Sequence, residues 1–129
     1  MKKAQDYLDE ANSVVPSVTP EKGIEIHASG TAVFFDVRDS KSLLQTGTIA
    51  GAHHVPRGMI ELSADPESPY HKPIFQKDAH ICIVCGAGLM AAMAGKTLME
   101  MGFANVTNVG GMKAWNVNGG AKSCHWAAQ

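Results

Sequence analysis

Residues 81–102, with the sequence ICIVCGAGLMAAMAGKTLMEMG, combine a strand, a turn and a helix in one short segment. Residues 81–84 are all apolar, which is typical of a strand that is buried on both faces of a sheet. Gly86-Ala87-Gly88 predicts a tight turn, and residues 89–101 predict a helix that Gly102 ends. A buried strand that leads through a short turn into a helix is the repeating unit of a parallel α/β sheet.

Strands and helices alternate along the rest of the chain as well. Thr19-Pro20 has the residue types that open a helix, and Gly30 closes that helix. The other strands are predicted at residues 32–35, 52–55 and 106–109, and the other helices at residues 2–12, 39–45 and 112–117. We therefore expect an α/β fold, with a parallel sheet of about five short strands and helices on both faces.

Composition and charge limit the classes of function. The chain has 129 residues, of which 45% are apolar and 18% charged, and its formal net charge is -1. A charge near zero offers no electrostatic basis for binding nucleic acid or an anionic membrane surface. Three cysteines are too few, and odd in number, for a secreted disulfide framework, and the first ten residues lack the apolar run of a signal peptide. We expect a cytoplasmic protein with reduced thiols and with neither a nucleic-acid nor a membrane partner.

Cys85 is the candidate nucleophile, because it ends the most apolar strand and begins the turn. In parallel α/β folds, ligands bind beyond the carboxyl ends of the strands, where loops lead into helix N-termini. The free backbone N–H groups of the helix that follows would face an anion formed there and stabilise a thiolate. The alternative for Cys85 is a buried structural cysteine, which is the role that we expect for Cys82.

The same segment contains a motif that points to a nucleotide cofactor. Gly86-Ala87-Gly88-Leu89-Met90-Ala91 matches the dinucleotide-binding pattern G-x-G-x-x-A. The next predicted strand, however, ends without the acidic residue that would hold a ribose, and no acidic residue follows Glu100. We therefore expect no cofactor.

Cys82 and Cys85 also form a C-x-x-C pair, which could bind zinc together with Cys124 and His125. Side chains an odd number of positions apart on a strand point to opposite faces of the sheet, so the two sulfurs should not converge. His53 and His54 are consecutive, so on a strand their side chains should also point to opposite faces. We therefore expect no metal ion.

A set of short motifs, taken in order, resembles the rhodanese-type sulfurtransferase family. The first half of the chain has Phe35-Asp36-Val37-Arg38, GTIAGA at residues 47–52 and Val55-Pro56-Arg57-Gly58, and the second half has Cys85-x-x-Gly88, AGKTL at residues 94–98, MGFANV at residues 101–106 and GGMKAW at residues 110–115. The resemblance lies in their order and spacing, and it covers residues 18–118. It implies a rhodanese-like domain over those residues, with a helical appendage at residues 1–17 and a tail at residues 119–129.

The resemblance implies a catalytic role for Cys85. In rhodaneses the loop cysteine accepts a sulfane sulfur as a persulfide, from a small donor such as thiosulfate or from a protein persulfide. It then passes the sulfur to cyanide or to a thiol. The substrate-binding loop would be Cys85-Gly86-Ala87-Gly88-Leu89-Met90, whose backbone N–H groups form a nest for an anion.

The loop departs from the pattern of many family members, which carry Arg and Ser where this chain has Met90 and Ala91. A dianionic donor such as thiosulfate therefore meets no cationic side chain on the loop. Arg57 follows a neighbouring strand and could supply that charge, or it could be an ordinary surface arginine. Asp36 and Arg38, at another strand end, could support the site, although a structural ion pair is the favoured interpretation.

Three classes of function follow from these residues. The first is a sulfurtransferase that forms a persulfide on Cys85. The second is a sulfur-carrier or binding module of the same fold, with weak thiosulfate activity. The third is a phosphatase of the same fold. That class is disfavoured because it needs a loop one residue longer, closed by an arginine where Ala91 stands.

Overall fold

A computed structural model of the chain describes residues 1–126. The helices are α1 (Ala4–Val14), α2 (Pro20–Ser29), α3 (Ser40–Thr46), α4 (Ile60–Ala64), α5 (Leu89–Glu100) and α6 (Met112–Val117). The strands are β1 (Ala32–Asp36), β2 (Thr48–Ile49), β3 (His53–His54), β4 (His80–Cys85), β5 (Val106–Gly111) and β6 (Lys122–Ser123). None of the helices within residues 1–126 has both the length and the apolar character that crossing a membrane requires.

The central sheet is parallel and places the end of β4 between the ends of its two neighbours. The strands lie in the order β3, β1, β4, β5. Phe35 of β1 is opposite Ile83 of β4, which in turn is opposite Asn108 of β5. The predicted α/β fold, with a parallel sheet and helices around it, is confirmed. Because parallel strands end at the same edge, the loop after β4 lies beside the ends of β1 and β5.

Two apolar cores cover the two faces of the sheet. On one face Ile81 and Ile83 pack with apolar residues of α4 and α5. On the other face Cys82 and Val84 pack with Trp115 of α6. The side chains of β4 alternate between these cores because successive residues of a strand point to opposite faces. Burial on both faces explains why this strand is apolar without interruption.

Helix α1 packs on α5 beside the loop of Cys85. Val15, at the end of α1, is 2% exposed, and a Cβ on Gly95 of α5 would lie 3.0 Å from its Cγ1. Because position 95 is a glycine, the side chain of Val15 can pack directly against the backbone of α5. At the other end of α1, Ala4 and Tyr7 line a cavity together with Leu89 at the start of α5.

The tail predicted at residues 119–129 is partly structured in the described part of the chain, which ends at residue 126. Strand β6 pairs antiparallel with β2, where Ser123 is opposite Thr48. The Trp115 Nε1–H donates a hydrogen bond of 3.0 Å to the carbonyl oxygen of Ala121. Residues 121–123 are thus attached to the domain by a strand pairing and by a side-chain hydrogen bond, which local sequence patterns do not reveal. Residues 127–129 of the predicted tail lie outside the described residues.

Candidate active site around Cys85

The sulfur of Cys85 lies inside the turn that connects β4 to α5. Its Sγ accepts hydrogen bonds from the backbone N–H of Gly88, at 3.0 Å, and of Ala91, at 3.4 Å. Gly88 has a φ of 89°, a conformation that glycine adopts without strain and that allows the abrupt change from strand to helix. Ala91 lies in the first turn of α5, where N–H groups have no acceptor within the helix. Negative charge on Sγ is therefore stabilised by two N–H dipoles and by the helix N-terminus.

Strand β5 supports this loop from behind. A Cβ on Gly111 would overlap the carbonyl oxygen of Gly86, so the loop backbone rests directly on the strand. The side chain of Asn108 holds the other end of the loop. Its Nδ2 donates to the carbonyl oxygen of Gly88 at 2.9 Å, and its Oδ1 accepts from the N–H of Gly110 at 2.8 Å. The position of the loop thus depends on Asn108 and Gly111 of β5.

A cavity of about 280 Å³ gives access to the sulfur. Its walls are the loop on one side and the end of β1 with the start of α3 on the other, formed by Cys85, Gly86, Ala87, Leu89, Met90, Arg38, Asp39 and Ser42. Cys85 itself is 2% exposed. A reagent therefore reaches its Sγ through this cavity, which suits a small molecule or a narrow reactive group.

Arg38 lines the cavity, but its charge is already neutralised. Its Nε donates to Asp36 at 3.0 Å and its Nη2 donates to Asp36 at 2.7 Å. Nη1 donates to Thr46 and a further Nη2 bond reaches the carbonyl oxygen of Gly47, each at 2.8 Å. Arg38 is 6% exposed and Asp36 is fully buried. The pair joins β1 to the end of α3, and the carboxylate of Asp36 neutralises the charge of the guanidinium.

The structure does not bring Arg57 to the loop. Its Nη1 donates to Glu61 and its Nη2 donates to Thr97, both at 3.1 Å. Arg57 lines a different cavity, together with Met93 and Lys96 of α5. The positive charge of Arg57 is therefore directed at Glu61 of α4 and Thr97 of α5 instead of at the loop.

The other two cysteines lie in different environments from Cys85. Cys82 is fully buried in the core on the opposite face of the sheet, and burial raises the pKa of its thiol to about 12. Cys124 is exposed. Across residues 1–126, no three His, Cys, Asp or Glu side chains gather closely enough to hold a metal ion.

The adjacent histidines face opposite sides. The ring of His53 lies against Phe35, with centroids 5.6 Å apart. Nε2 of His54 is 2.7 Å from the carbonyl oxygen of Arg38. Each imidazole therefore serves a separate packing or hydrogen-bonding contact.

The structure places three further residues near the loop, in addition to those predicted from the sequence. Gly111 belongs to a pair of glycines at the end of a predicted strand, which is a signal of close backbone approach. Asn108 carries no such signal, because its partners are distant in sequence. Lys113 lines a second cavity, of about 440 Å³, together with Gly86 and Ala87. A lysine therefore lies on the α6 side of the loop, outside the cavity that reaches Cys85.

The fold and the site define a class of protein: parallel α/β domains in which a loop of backbone N–H groups surrounds a cysteine at the end of the central strand. Residues 19–118 match the rhodanese-like domain family. The chain therefore belongs to the rhodanese-like family, as its motifs predict.

The chain is similar to a curated protein and to a solved structure that carry different descriptions. A Bacillus subtilis (strain 168) protein named "Putative sulfur carrier protein YrkF" is 26% identical over 117 residues, which cover 89% of this chain and 58% of that protein. The chain thus spans little more than half the length of this curated relative. The solved structure of RPA3614 from Rhodopseudomonas palustris CGA009, described as a protein of unknown function and possible tyrosine phosphatase, is 39% identical with a TM-score of 0.91, over 95% of this chain and 96% of that one.

Two structures of sulfurtransferases share the fold. The human single-domain sulfurtransferase TSTD1 has a TM-score of 0.69 and 24% identity, over 80% of this chain and 96% of that chain. The polysulfide-sulfur transferase homodimer of Wolinella succinogenes has a TM-score of 0.68 and 23% identity, over 95% of this chain and 86% of that chain. At these identities the likeness establishes a common architecture.

Proposed function

We propose that this chain is a sulfurtransferase in which Cys85 carries a sulfane sulfur as a persulfide. The observation that carries the proposal is the pair of hydrogen bonds from the N–H groups of Gly88 and Ala91 to Sγ of Cys85. Sγ bears negative charge in the attacking thiolate and again in the thiolate that the second transfer releases, and preorganised N–H groups stabilise such charge without reorganisation. Membership of the rhodanese-like family supports the same role for this cysteine.

The reaction divides into two transfers. In the first, the Cys85 thiolate attacks the outer sulfur of a donor such as thiosulfate. A new S–S bond forms on Cys85 while the S–S bond of thiosulfate breaks, and the bonding pair leaves with sulfite. In the second, cyanide or a thiolate attacks the terminal sulfur of the persulfide. The S–S bond of the persulfide breaks, its electron pair returns to Cys85 as a thiolate, and thiocyanate or a new persulfide departs.

A second candidate function is a sulfur carrier that receives its sulfur from a protein persulfide and turns over thiosulfate slowly. The observation that favours it is the lining of the cavity that reaches Cys85, where Arg38 is the one Lys or Arg side chain among residues 1–126. Met90 is apolar, and the guanidinium of Arg38 is bonded to Asp36. The name of the Bacillus relative agrees with this candidate.

A phosphatase activity gains no support from the site. A phosphate dianion needs a cationic partner, and Arg38 is the one arginine among residues 1–126 that lines the cavity of Cys85. Because Asp36 already neutralises this arginine, the cavity provides no cationic partner for a phosphate dianion among residues 1–126.

A thiosulfate–cyanide assay combined with intact-protein mass spectrometry tests the proposal. We expect the wild type to gain one sulfur atom from thiosulfate and to release thiocyanate when cyanide is added. Cys85→Ser should do neither. Cys124→Ser, which removes an exposed thiol, should behave as the wild type. Sulfur uptake by Cys85→Ser would refute the assignment. Persulfide formation from a cysteine desulfurase, without thiocyanate production from thiosulfate, would favour the carrier function.

A further inference from the structure

An apolar groove lies between α1 and the start of α5. Its volume is about 550 Å³, and almost all of its lining is apolar, contributed by Ala4, Tyr7, Leu8, Leu89, Met90 and Met93. This volume is within the range of about 300–1,000 Å³ that is usual for small-molecule sites. Leu89 is 53% exposed and Tyr7 is 50% exposed. A concave space with a predominantly apolar lining is the usual form of a site for a small organic molecule.

The groove borders the cavity of Cys85. Leu89 and Met90 line both spaces, so the two cavities are adjacent at these two side chains. Both residues belong to the loop whose backbone surrounds the sulfur. A molecule with its reactive end at Cys85 can therefore extend over Leu89 and Met90 into the groove.

The charges around Cys85 favour a donor with little negative charge. Arg38 is neutralised by Asp36. Asp39 also lines the cavity, and the backbone N–H of Ser42, which donates to it at 2.8 Å, holds the pKa of this carboxyl below its usual value. The ionised Asp39 opposes a dianion such as thiosulfate more than it opposes a monoanion.

We infer that the groove between α1 and α5 binds the apolar organic group of a small sulfur donor, an alkyl or aryl persulfide or thiosulfonate, while its sulfane sulfur is presented to Cys85. The inference rests on the proposed function and names its substrate class. It also explains Met90, because a methionine at this position joins an apolar groove to the reactive cysteine, whereas a cation would divide them.

The transfer from such a donor is balanced without a further reactant. The Cys85 thiolate attacks the outer sulfur of an alkanethiosulfonate. The S–S bond of the Cys85 persulfide forms, the bond between the outer sulfur and the sulfonyl sulfur breaks, and its electron pair leaves with the alkanesulfinate. The reacting group stays the same when the alkyl chain is lengthened.

Two donors that differ only in their alkyl chain test the inference. We would measure the rate of persulfide formation on the full chain with methanethiosulfonate and with butanethiosulfonate, by mass spectrometry. Burial of a methylene favours binding by about fourfold, so butanethiosulfonate should have the higher kcat/KM by about tenfold or more if its chain enters the groove.

Variants of α1 show whether the preference comes from the groove. Leu8→Asp introduces a charge into the groove and should reduce the ratio of the butyl to the methyl rate toward one. Val14→Asp places the same charge on an exposed position of the same helix, outside the groove lining, and should preserve the ratio. Ala4→Trp fills the groove without a charge and should also reduce the ratio, which keeps the test valid if Leu8→Asp unfolds α1.

The possible outcomes separate the inference from the proposed function. Equal rates with the two donors in the wild type, or a ratio that survives both Leu8→Asp and Ala4→Trp in folded protein, overturn the inference and leave the proposed function intact. If no donor, thiosulfate included, forms a persulfide on Cys85, then the proposed function fails and the inference fails with it.

Discussion

Asn108 in β5 and Gly88 in the loop are joined by a hydrogen bond of 2.9 Å, from Nδ2 of the asparagine to the carbonyl oxygen of the glycine. Gly88 is also the residue whose N–H donates to Sγ of Cys85. One side chain of the neighbouring strand therefore positions a hydrogen-bond donor at Sγ of Cys85. This relationship makes Asn108 a positioning residue, since it acts on Cys85 through the loop.

Replacement of Asn108 should slow sulfur transfer. Asn108→Ala leaves the carbonyl oxygen of Gly88 and the N–H of Gly110 without this partner, at a cost in stability of about 1–3 kcal/mol for each group that stays buried. We expect the rate of persulfide formation to fall about tenfold, with KM for the donor changed less than kcat, because the loop is misplaced. The measurement is single-turnover kinetics at a temperature where both proteins are folded.

Asn116→Ala is the matched control for that variant. The side-chain oxygen of Asn116 is buried and has no hydrogen-bond partner in the described part of the chain. Its removal should leave the rate of persulfide formation as in the wild type. If Asn108→Ala forms the persulfide at the wild-type rate, Asn108 is not a positioning residue for Cys85.

Gly111→Ala should damage the loop sterically. The added methyl group would overlap the carbonyl oxygen of Gly86, so the loop must shift away from β5. A displacement of this kind near the reacting atoms is expected to lower kcat/KM by about a hundredfold. Gly58→Ala, where a Cβ meets no atom within 4 Å, should have no such effect. Comparison of the two variants by activity and by melting temperature checks the prediction, and full activity in Gly111→Ala would contradict the close packing of loop and strand.

Met90→Arg should favour thiosulfate. A charge-assisted hydrogen bond to the dianion, worth about 1.5–3 kcal/mol, corresponds to a gain in kcat/KM of about tenfold or more. The gain should shrink as ionic strength rises, since the contact is near the surface. The same variant should weaken the preference for butanethiosulfonate, because Met90 lines both the groove and the cavity of Cys85.

Arg57→Ala provides the comparison for the charge at position 90. Because Arg57 donates to Glu61 and Thr97, its loss should change thiosulfate turnover by less than about twofold, and any effect should be on stability. A sharp fall in activity that Met90→Arg partly restores would instead make Arg57 the cation of the site. If neither variant affects the thiosulfate reaction, donor charge does not limit it.

The two cysteines of β4 should differ in reactivity. Cys85 lies at a cavity with two N–H groups at its sulfur, whereas burial raises the pKa of Cys82 to about 12 and keeps it a neutral thiol. Brief treatment with iodoacetamide near neutral pH should therefore alkylate Cys85 before Cys82, and Cys124 should react as an ordinary exposed thiol. Peptide mass spectrometry gives the order of labelling. If Cys82 is modified first, then Cys82 is the nucleophile and Cys85 the structural cysteine, contrary to the prediction.

The raised pKa of Cys82 also predicts a loss of stability in alkaline solution. In the unfolded chain this thiol ionises at its ordinary pKa, while in the folded protein it stays protonated to higher pH. The unfolded state therefore binds fewer protons, and the free energy of unfolding falls as pH rises above that ordinary value. Denaturant unfolding of the wild type and of Cys82→Ala across this pH range should show a shallower decline in the variant. Parallel declines would mean that Cys82 is not the group responsible.

Much of the fold is readable from residues close together in sequence. The apolar run before Cys85 indicates a strand covered on both faces. Thr19 accepts a hydrogen bond from the N–H of Lys22, and Gly30 adopts a φ of 70° at the other end of α2, so both residues act as the helix boundaries that their types predict. Such features depend on hydrogen bonds and side-chain periodicity within a few residues, and these are visible in the sequence itself.

The surroundings of Cys85 depend on residues far apart in the chain. The ion pair of Asp36 and Arg38 is the interpretation that the sequence favours. For Arg57 the sequence leaves two alternatives open, and its partners Glu61 and Thr97, the second 40 positions away, decide between them. The hydrogen bond of Asn108 to Gly88 spans 20 positions.

The sequence by itself determined the strand–loop–helix unit, the cysteine at its centre and the family. The tertiary structure alone decided where the charge of Arg57 is directed, which strand residues support the loop, and that α1 forms an apolar groove beside it. The reason is that local backbone conformation follows from neighbouring residues, whereas a binding surface arises only when packing of the whole chain brings separate elements together.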